Sequence, residues 1–153
     1  MANEAKWTTA TEVTLEDSGA SVANAGFIDA NATTLSSANH SNYPLADFAL
    51  KTVGFGAALA STGSLTVNMY RKVINFDGTA GDELDPSASL KAHYVGSFIM
   101  PLSAASNTTY YAHLESVPLI PGEQAFALED ALGQSISAGW TLKAVPKTLV
   151  PGT

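Results

Sequence analysis

The sequence predicts an all-β protein: an antiparallel β-sandwich, jelly-roll-like, built from about eight strands. Three observations carry that reading. Apolar residues fall in short runs that alternate with polar ones, the period-two pattern of half-buried strands. Clusters of Gly, Pro, Asn and Asp separate those runs at regular intervals. No stretch shows the 3.6-residue period of a long amphipathic helix. The chain has 153 residues, 46% of them hydrophobic. Such a chain closes one core that buries roughly 70% of the surface it exposes unfolded, without metal or disulfide staples. Residues 1–153 are expected to form a single β-sandwich domain, with a short N-terminal arm (1–7) and an extended C-terminal tail (146–153).

Each element follows from local chemistry. Trp7 to Leu15 is rich in β-formers and ends at the turn cluster Glu16-Asp17-Ser18-Gly19. Ala20-Ser21-Val22 and Gly26-Phe27-Ile28 read as short pieces of strand. From Asp29 to Asn42 the chain is dense in Asn, Ser, Thr and Ala and reads as a long polar loop closed by Tyr43-Pro44. Asp47 to Phe55 alternates, with Ala49, Lys51, Val53 and Phe55 on one side and Phe48, Leu50 and Thr52 on the other. Ser61-Thr62-Gly63 is a turn. Ser64 to Arg71 is the clearest strand, with Leu65, Val67 and Met69 on one face and Thr66, Asn68 and Tyr70 on the other.

The run continues through Val73-Ile74-Asn75-Phe76 into an acidic loop, Asp77 to Pro86. Lys91 to Met100 returns as strand, with Tyr94, Phe98 and Met100 on one side and Val95 and Ile99 on the other. Pro101 to Asn107 turns the chain and Thr108 to Val117 forms the next strand. Pro118-Leu119-Ile120-Pro121-Gly122 is a turn, since two prolines do not fit a central strand. Glu123 to Leu128 follows as a strand, Glu129 to Gln134 as a loop, and Ser135 to Val145 as the last strand, with Trp140, Leu142 and Ala144 on one face. The expected interior comprises Leu65, Val67, Met69, Phe126, Leu128, Trp140 and Leu142.

Charge and composition then exclude whole classes of function. The formal net charge is −7, Arg71 is the one arginine, and the six lysines are scattered. Nucleic-acid binding needs clustered Lys and Arg to displace counterions, and anionic membranes attract the same clusters; neither partner is expected. With no cysteine, disulfides, thiolate nucleophiles and Cys-type zinc sites are absent. Met1 to Trp7 lacks the apolar stretch of a signal peptide, so the sequons at Asn31, Asn39 and Asn107 are read as accidents of composition. Charged residues make up 14% of the chain, against roughly 25% in ordinary soluble domains. A surface so rich in Ala, Ser and Thr suits contact with other protein.

No catalytic site is expected. His40 lies in the polar loop, His93 near a strand start and His113 within a strand, and none has a second histidine at ligand spacing. His113 and Glu115 on one strand read as a surface polar row. Asp77, Asp82, Glu83 and Asp85 are the best candidates for a cation, which takes several carboxylate oxygens from a flexible loop. Their spacing departs from the twelve-residue calcium loop, and a solvated acidic turn explains them as well. Gly54-Phe55-Gly56 and Gly78/Gly81 lack the Lys-Ser/Thr pair and following helix of nucleotide loops. No Gly-x-Ser-x-Gly elbow supplies a serine nucleophile. No enzyme activity, cofactor, metal or catalytic residue is therefore assigned. Trp7, Tyr43, Tyr70, Tyr94, Tyr110, Tyr111 and Trp140 offer material for a sugar-stacking platform, but Tyr94 and Trp140 sit where the alternation points inward.

The Cys-free, Ala/Thr/Ser/Gly-rich composition, with runs such as Tyr94-Val95-Gly96-Ser97-Phe98 and Ser137-Ala138-Gly139-Trp140-Thr141-Leu142-Lys143, resembles the small β-sandwich virion proteins of tailed bacteriophages, of the capsid decoration (cement) type. The resemblance implies a structural protein without catalytic residues, made in the bacterial host cytoplasm and located on the capsid surface of the virion. It implies the major capsid protein as partner, and self-association as a homo-oligomer, a trimer around symmetry axes. The alternative is a glycan-binding β-sandwich module on a tail or head fibre, used for attachment to the host surface. The two differ in whether Trp140 and Tyr94 are buried or form an exposed aromatic row. Trp7, Leu149 and Val150 have no evident place in the sandwich, so the ends are expected to pack on a neighbour.

Overall fold

Period-two alternation gives each strand one apolar face, and two sheets bury those faces against each other. A computed structural model describes residues 5–36, 42–74, 93–120 and 122–150. Within them lie nine strands and no helix: β1 (Lys6–Thr9), β2 (Val13–Gly19), β3 (Phe27–Leu35), β4 (Leu45–Thr52), β5 (Thr66–Ile74), β6 (Tyr94–Ile99), β7 (Tyr110–Pro118), β8 (Glu123–Ala131) and β9 (Trp140–Val150). One sheet runs β1-β9-β4-β7, with β2 also on β9; the other runs β3-β8-β5-β6. Every pairing is antiparallel. The orders 2-9-4-7 and 3-8-5-6 are those of a jelly roll, so the expected fold class is what forms.

The expected interior is buried throughout: Leu65, Val67, Met69, Phe126, Leu128, Trp140 and Leu142 all lie in the core. Phe48 of β4 meets Phe126 of β8 edge-to-face at 4.9 Å between ring centres, joining the sheets at mid-sandwich. In β4 the alternation holds residue by residue, with Ala46, Phe48, Leu50 and Thr52 buried. Gly63 takes φ +97° in the expected turn before β5, a conformation that suits glycine.

Several boundaries differ from the sequence reading, each for a physical reason. Glu16 to Gly19 is not a turn but the bulged second half of β2, whose register on β9 shifts on either side of Glu16. The Glu16 carboxylate holds the bulge: Oε1 accepts from the amides of Asp17 and Ser18, and Oε2 from the amide of Asn31 on β3. Asp29 to Leu35 is strand rather than loop, because Phe27 to Ala30 pair with Phe126 to Glu129 and Leu35 is wholly buried. Strand β8 runs on through Glu129 to Ala131, since β5 pairs with it along its whole length. Ser135 to Gly139 precedes β9 instead of belonging to it; Ile136 makes isolated bridges to Val22 and Phe55.

Nor are the described parts of the arm and tail free. Residues 146–150, expected as tail, continue β9, while Lys6 and Trp7, expected as arm, belong to β1 and pair with Val150 and Leu149. Pro146 marks the break between β1 and β2. Its carbonyl accepts from the amide of Ala10 at 2.8 Å, and the N–H it lacks would point the same way, so no ladder forms opposite residues 10–12. The acidic loop Asp77 to Pro86 with Gly78 and Gly81, His40, the sequon at Asn39, Lys91, Pro121 and the last three residues of the expected tail lie outside the described residues.

Candidate functional site

The aromatic side chains divide the molecule into core and surface. Trp140 is wholly buried, its indole Nε1–H donating to the carbonyl of Ala20 at 2.8 Å. Tyr110 stacks on Phe55 at 5.8 Å. Among the described residues three rings are exposed, and they stand on different strands: Trp7 on β1, Tyr94 on β6 and Tyr111 on β7. The ammonium of Lys147 lies 4.6 Å from the centre of the Trp7 ring and 2.6 Å from Asp47 Oδ1, a cluster that ties β1 and β9 to β4.

Tyr94 points outward, contrary to the alternation. The pairs Met69↔Gly96 and Tyr70↔Tyr94 leave Val95 without a partner, and this bulge turns Tyr94 to the outer face. There its hydroxyl meets Ser97 Oγ at 2.6 Å, Ser97 donates to Asn68 Oδ1, and Asn68 Nδ2 donates to Glu129 Oε2 at 2.9 Å. The hydroxyl of Tyr70 donates to the same carboxylate oxygen at 2.7 Å. Burial, then the bond to Glu129 and its charge, hold the Tyr70 phenol above its ordinary range. Tyr70 and Tyr94 meet edge-on at 5.7 Å. This network ties β6 to β5 and β8.

Beyond Tyr94 the same outer edge presents Ile99, 75% exposed, and then Leu102 in the following turn, 51% exposed. The strand Tyr94-Val95-Gly96-Ser97-Phe98-Ile99 carries no charge and no proline. Among the described residues it pairs with β5 alone in its sheet. Edge strands usually carry such residues against pairing with another chain, and exposed apolar patches on a soluble protein mark contact surfaces.

Of the residues first weighed for chemistry, those among the described residues are not brought together. His93 is exposed at φ +58° before β6. His113 and Glu115 are both exposed on β7, with the bulge that follows Leu114 beside them. No group of three or more His, Asp or Glu among the described residues is placed to hold a metal. The polar network around Glu129 escaped sequence reasoning, because no spacing signals that Asn68, Tyr70, Ser97 and Glu129 meet. Arg71 points its Nη2 at the Pro118 carbonyl, 2.6 Å away, while its buried Nε has no partner among the described residues; burial lowers its pKa.

No protein-family model matches the sequence, and no curated protein does. Among solved structures, the chain is similar to the CBM36-1 domain of a multidomain xylanase from the hindgut metagenome of Trinervitermes trinervoides, with TM-score 0.46 and 11% identity over 92% of this chain and 96% of that one. A carbohydrate-binding module CBM36 in complex with calcium and xylotriose gives TM-score 0.44 and 13% identity over 90% and 99%. The SPBc2 prophage-derived protein YomS gives 0.33 and 13% over 97% and 98%. At these values the likenesses carry no argument about ligand or partner. The β-sandwich itself rests on the strand order.

Proposed function

We propose that the protein is a structural virion protein of the capsid decoration type, which binds the outer surface of a phage head through the β6 edge. The observation that carries this reading is the uncharged edge strand with Tyr94, Ile99 and Leu102 exposed along it. Aromatic and apolar residues are what interface cores use, and charged residues are depleted there. The major capsid protein is the partner, and copies of this chain meet around the symmetry axes of the shell as trimers. No catalytic residue, cofactor or metal takes part. The rival reading, glycan attachment through a row of Tyr and Trp rings, is poorly served by Trp7, Tyr94 and Tyr111 on three separate strands.

The test is a capsid-binding assay with the full-length protein. Wild type is expected to co-sediment with undecorated heads at a fixed ratio to the capsid protein. Ile99→Lys, which places a charge on the exposed edge, is expected to lose at least tenfold in affinity with an unchanged melting curve. Undiminished binding by the variant removes the β6 edge from the reading. Absence of the protein from purified virions removes the reading itself.

A further inference from the structure

On the opposite face of the sandwich, a groove of about 380 Å³ crosses the outer surface of the β9-β4-β7 sheet. Asp17, Ala49, Lys51, Tyr111, Thr141 and Lys143 line it. Register fixes their arrangement. Lys51 of β4 lies opposite Thr141 on one side and Tyr111 on the other, so these three form one row across three strands. Thr141 and Tyr111 are two strand spacings apart, roughly 10 Å, about the length of a disaccharide. Ala49 lies opposite Lys143 in the next row and leaves the floor open. Asp17 is swung over the groove by the β2 bulge that Glu16 anchors.

We propose that this groove is a binding subsite for an uncharged saccharide chain, with Tyr111 as the ring-stacking surface and Lys51, Asp17 and Thr141 as its hydroxyl contacts. Tyr111 is 66% exposed and forms one wall. Its ring face offers the apolar surface that a pyranose packs against, and its rigidity keeps the entropic cost of contact low. Lys51 makes no hydrogen bond or ion pair among the described residues, so its ammonium is available as donor. The Asp17 carboxylate likewise has no hydrogen-bond donor among them. A donor and an acceptor flanking one groove suit adjacent sugar hydroxyls, which donate and accept in turn.

Charge decides the class of sugar. Lys143 is held by Glu12 at 2.6 Å, and this partner, with the nearby charge of Asp17, raises its pKa. The cations Lys51 and Lys143 are thus balanced by Glu12 and Asp17, and the groove has no net charge to attract an acidic polymer. Its volume lies low in the range of roughly 300–1,000 Å³ typical of small-ligand sites, which suits one or two sugar rings. The site is on the sheet that does not contain β6.

Native-gel affinity electrophoresis of the full-length protein tests the proposal, with β-glucan, galactomannan, dextran and, as the acidic control, polygalacturonate cast in the gel. At least one neutral polymer is expected to retard wild type. Tyr111→Ala should abolish the retardation, Tyr111→Phe should preserve it, and Lys51→Met should weaken it by about tenfold, all with unchanged melting curves. Migration unaffected by every neutral polymer overturns the site, as does retardation that survives Tyr111→Ala. Retardation by polygalacturonate alone, lost in high salt, overturns the neutral class. None of these outcomes bears on capsid binding, which Ile99→Lys reports separately.

Discussion

Gly19 lies flat against the indole of Trp140: a β-carbon built on Gly19 would sit 2.0 Å from the ring's Cε2 atom. The two residues are register partners on β2 and β9, and the neighbouring Ala20 carbonyl accepts the indole N–H. Glycine is therefore required here by closeness of approach. Gly19→Ala is expected to cost about 3 kcal/mol through displacement of the ring. Trp140→Phe should also destabilise, because it leaves a void and strands the Ala20 carbonyl. Urea unfolding measures both, and a Gly19→Ala variant as stable as wild type would contradict the packing.

Asp130 predicts a pH dependence. It is wholly buried at the end of β8; Oδ1 accepts from the Leu132 amide at 2.8 Å, and Oδ2 has no partner among the described residues. Burial pushes its pKa up to about 6, against the pull of the backbone amides. An unfolded Asp titrates near 3.9. Between these values the native state holds the proton more tightly, so stability falls as pH rises from about 4 to about 6 and then levels. The loss is on the order of 3 kcal/mol. Asp130→Asn keeps the acceptor for Leu132 and removes the ionisation. Its stability relative to wild type should rise across that window, and a difference independent of pH would rule the assignment out.

Truncation after Pro146 should weaken the domain itself. The residues removed include Lys147 to Val150, which pair with β1, and the ammonium that neutralises Asp47. Lys147 is buried beneath this cluster. A loss of at least about 2 kcal/mol is expected, read as a lower urea midpoint. A truncated protein with unaltered stability would mean that the β1–β9 pairing contributes nothing.

Phe48 and Phe126 should be energetically coupled. Their edge-to-face contact at 4.9 Å joins the two sheets. In a double-mutant cycle with Phe48→Leu and Phe126→Leu, the coupling is expected to be about 1 kcal/mol. Additive single effects would show that the ring geometry adds nothing to burial.

What the sequence made legible follows from range of interaction. The Leu65-Val67-Met69 and Trp140-Leu142-Ala144 faces are local alternations, and a half-buried strand displays them whatever its neighbours. Strand β3 was hidden because Asn31, Ala32, Thr33 and Thr34 offer no apolar rhythm; pairing of Phe27 to Ala30 with β8 defines its first half. Tyr94 was misplaced because one bulged residue, Val95, inverts the alternation, and no residue type announces it. Pro146 argued for a tail, yet the gap between β1 and β2 accommodates its missing donor. The groove was beyond reach, since Lys51, Tyr111 and Thr141 meet only through the register of three strands remote in sequence. The Glu129 network is remote in the same way.

Strand β9 lies between β2 and β4, both of which precede it by most of the chain. A ribosome adding about 5–20 residues each second therefore leaves roughly 4–20 s between the appearance of β4 and that of the strand it pairs with. Throughout that interval the edges of β2 and β4 that β9 will pair with stay open. The five-stranded sheet cannot assemble in the order of synthesis; it waits for its centre to arrive. Completion of the sandwich is thus held back until translation has passed β9.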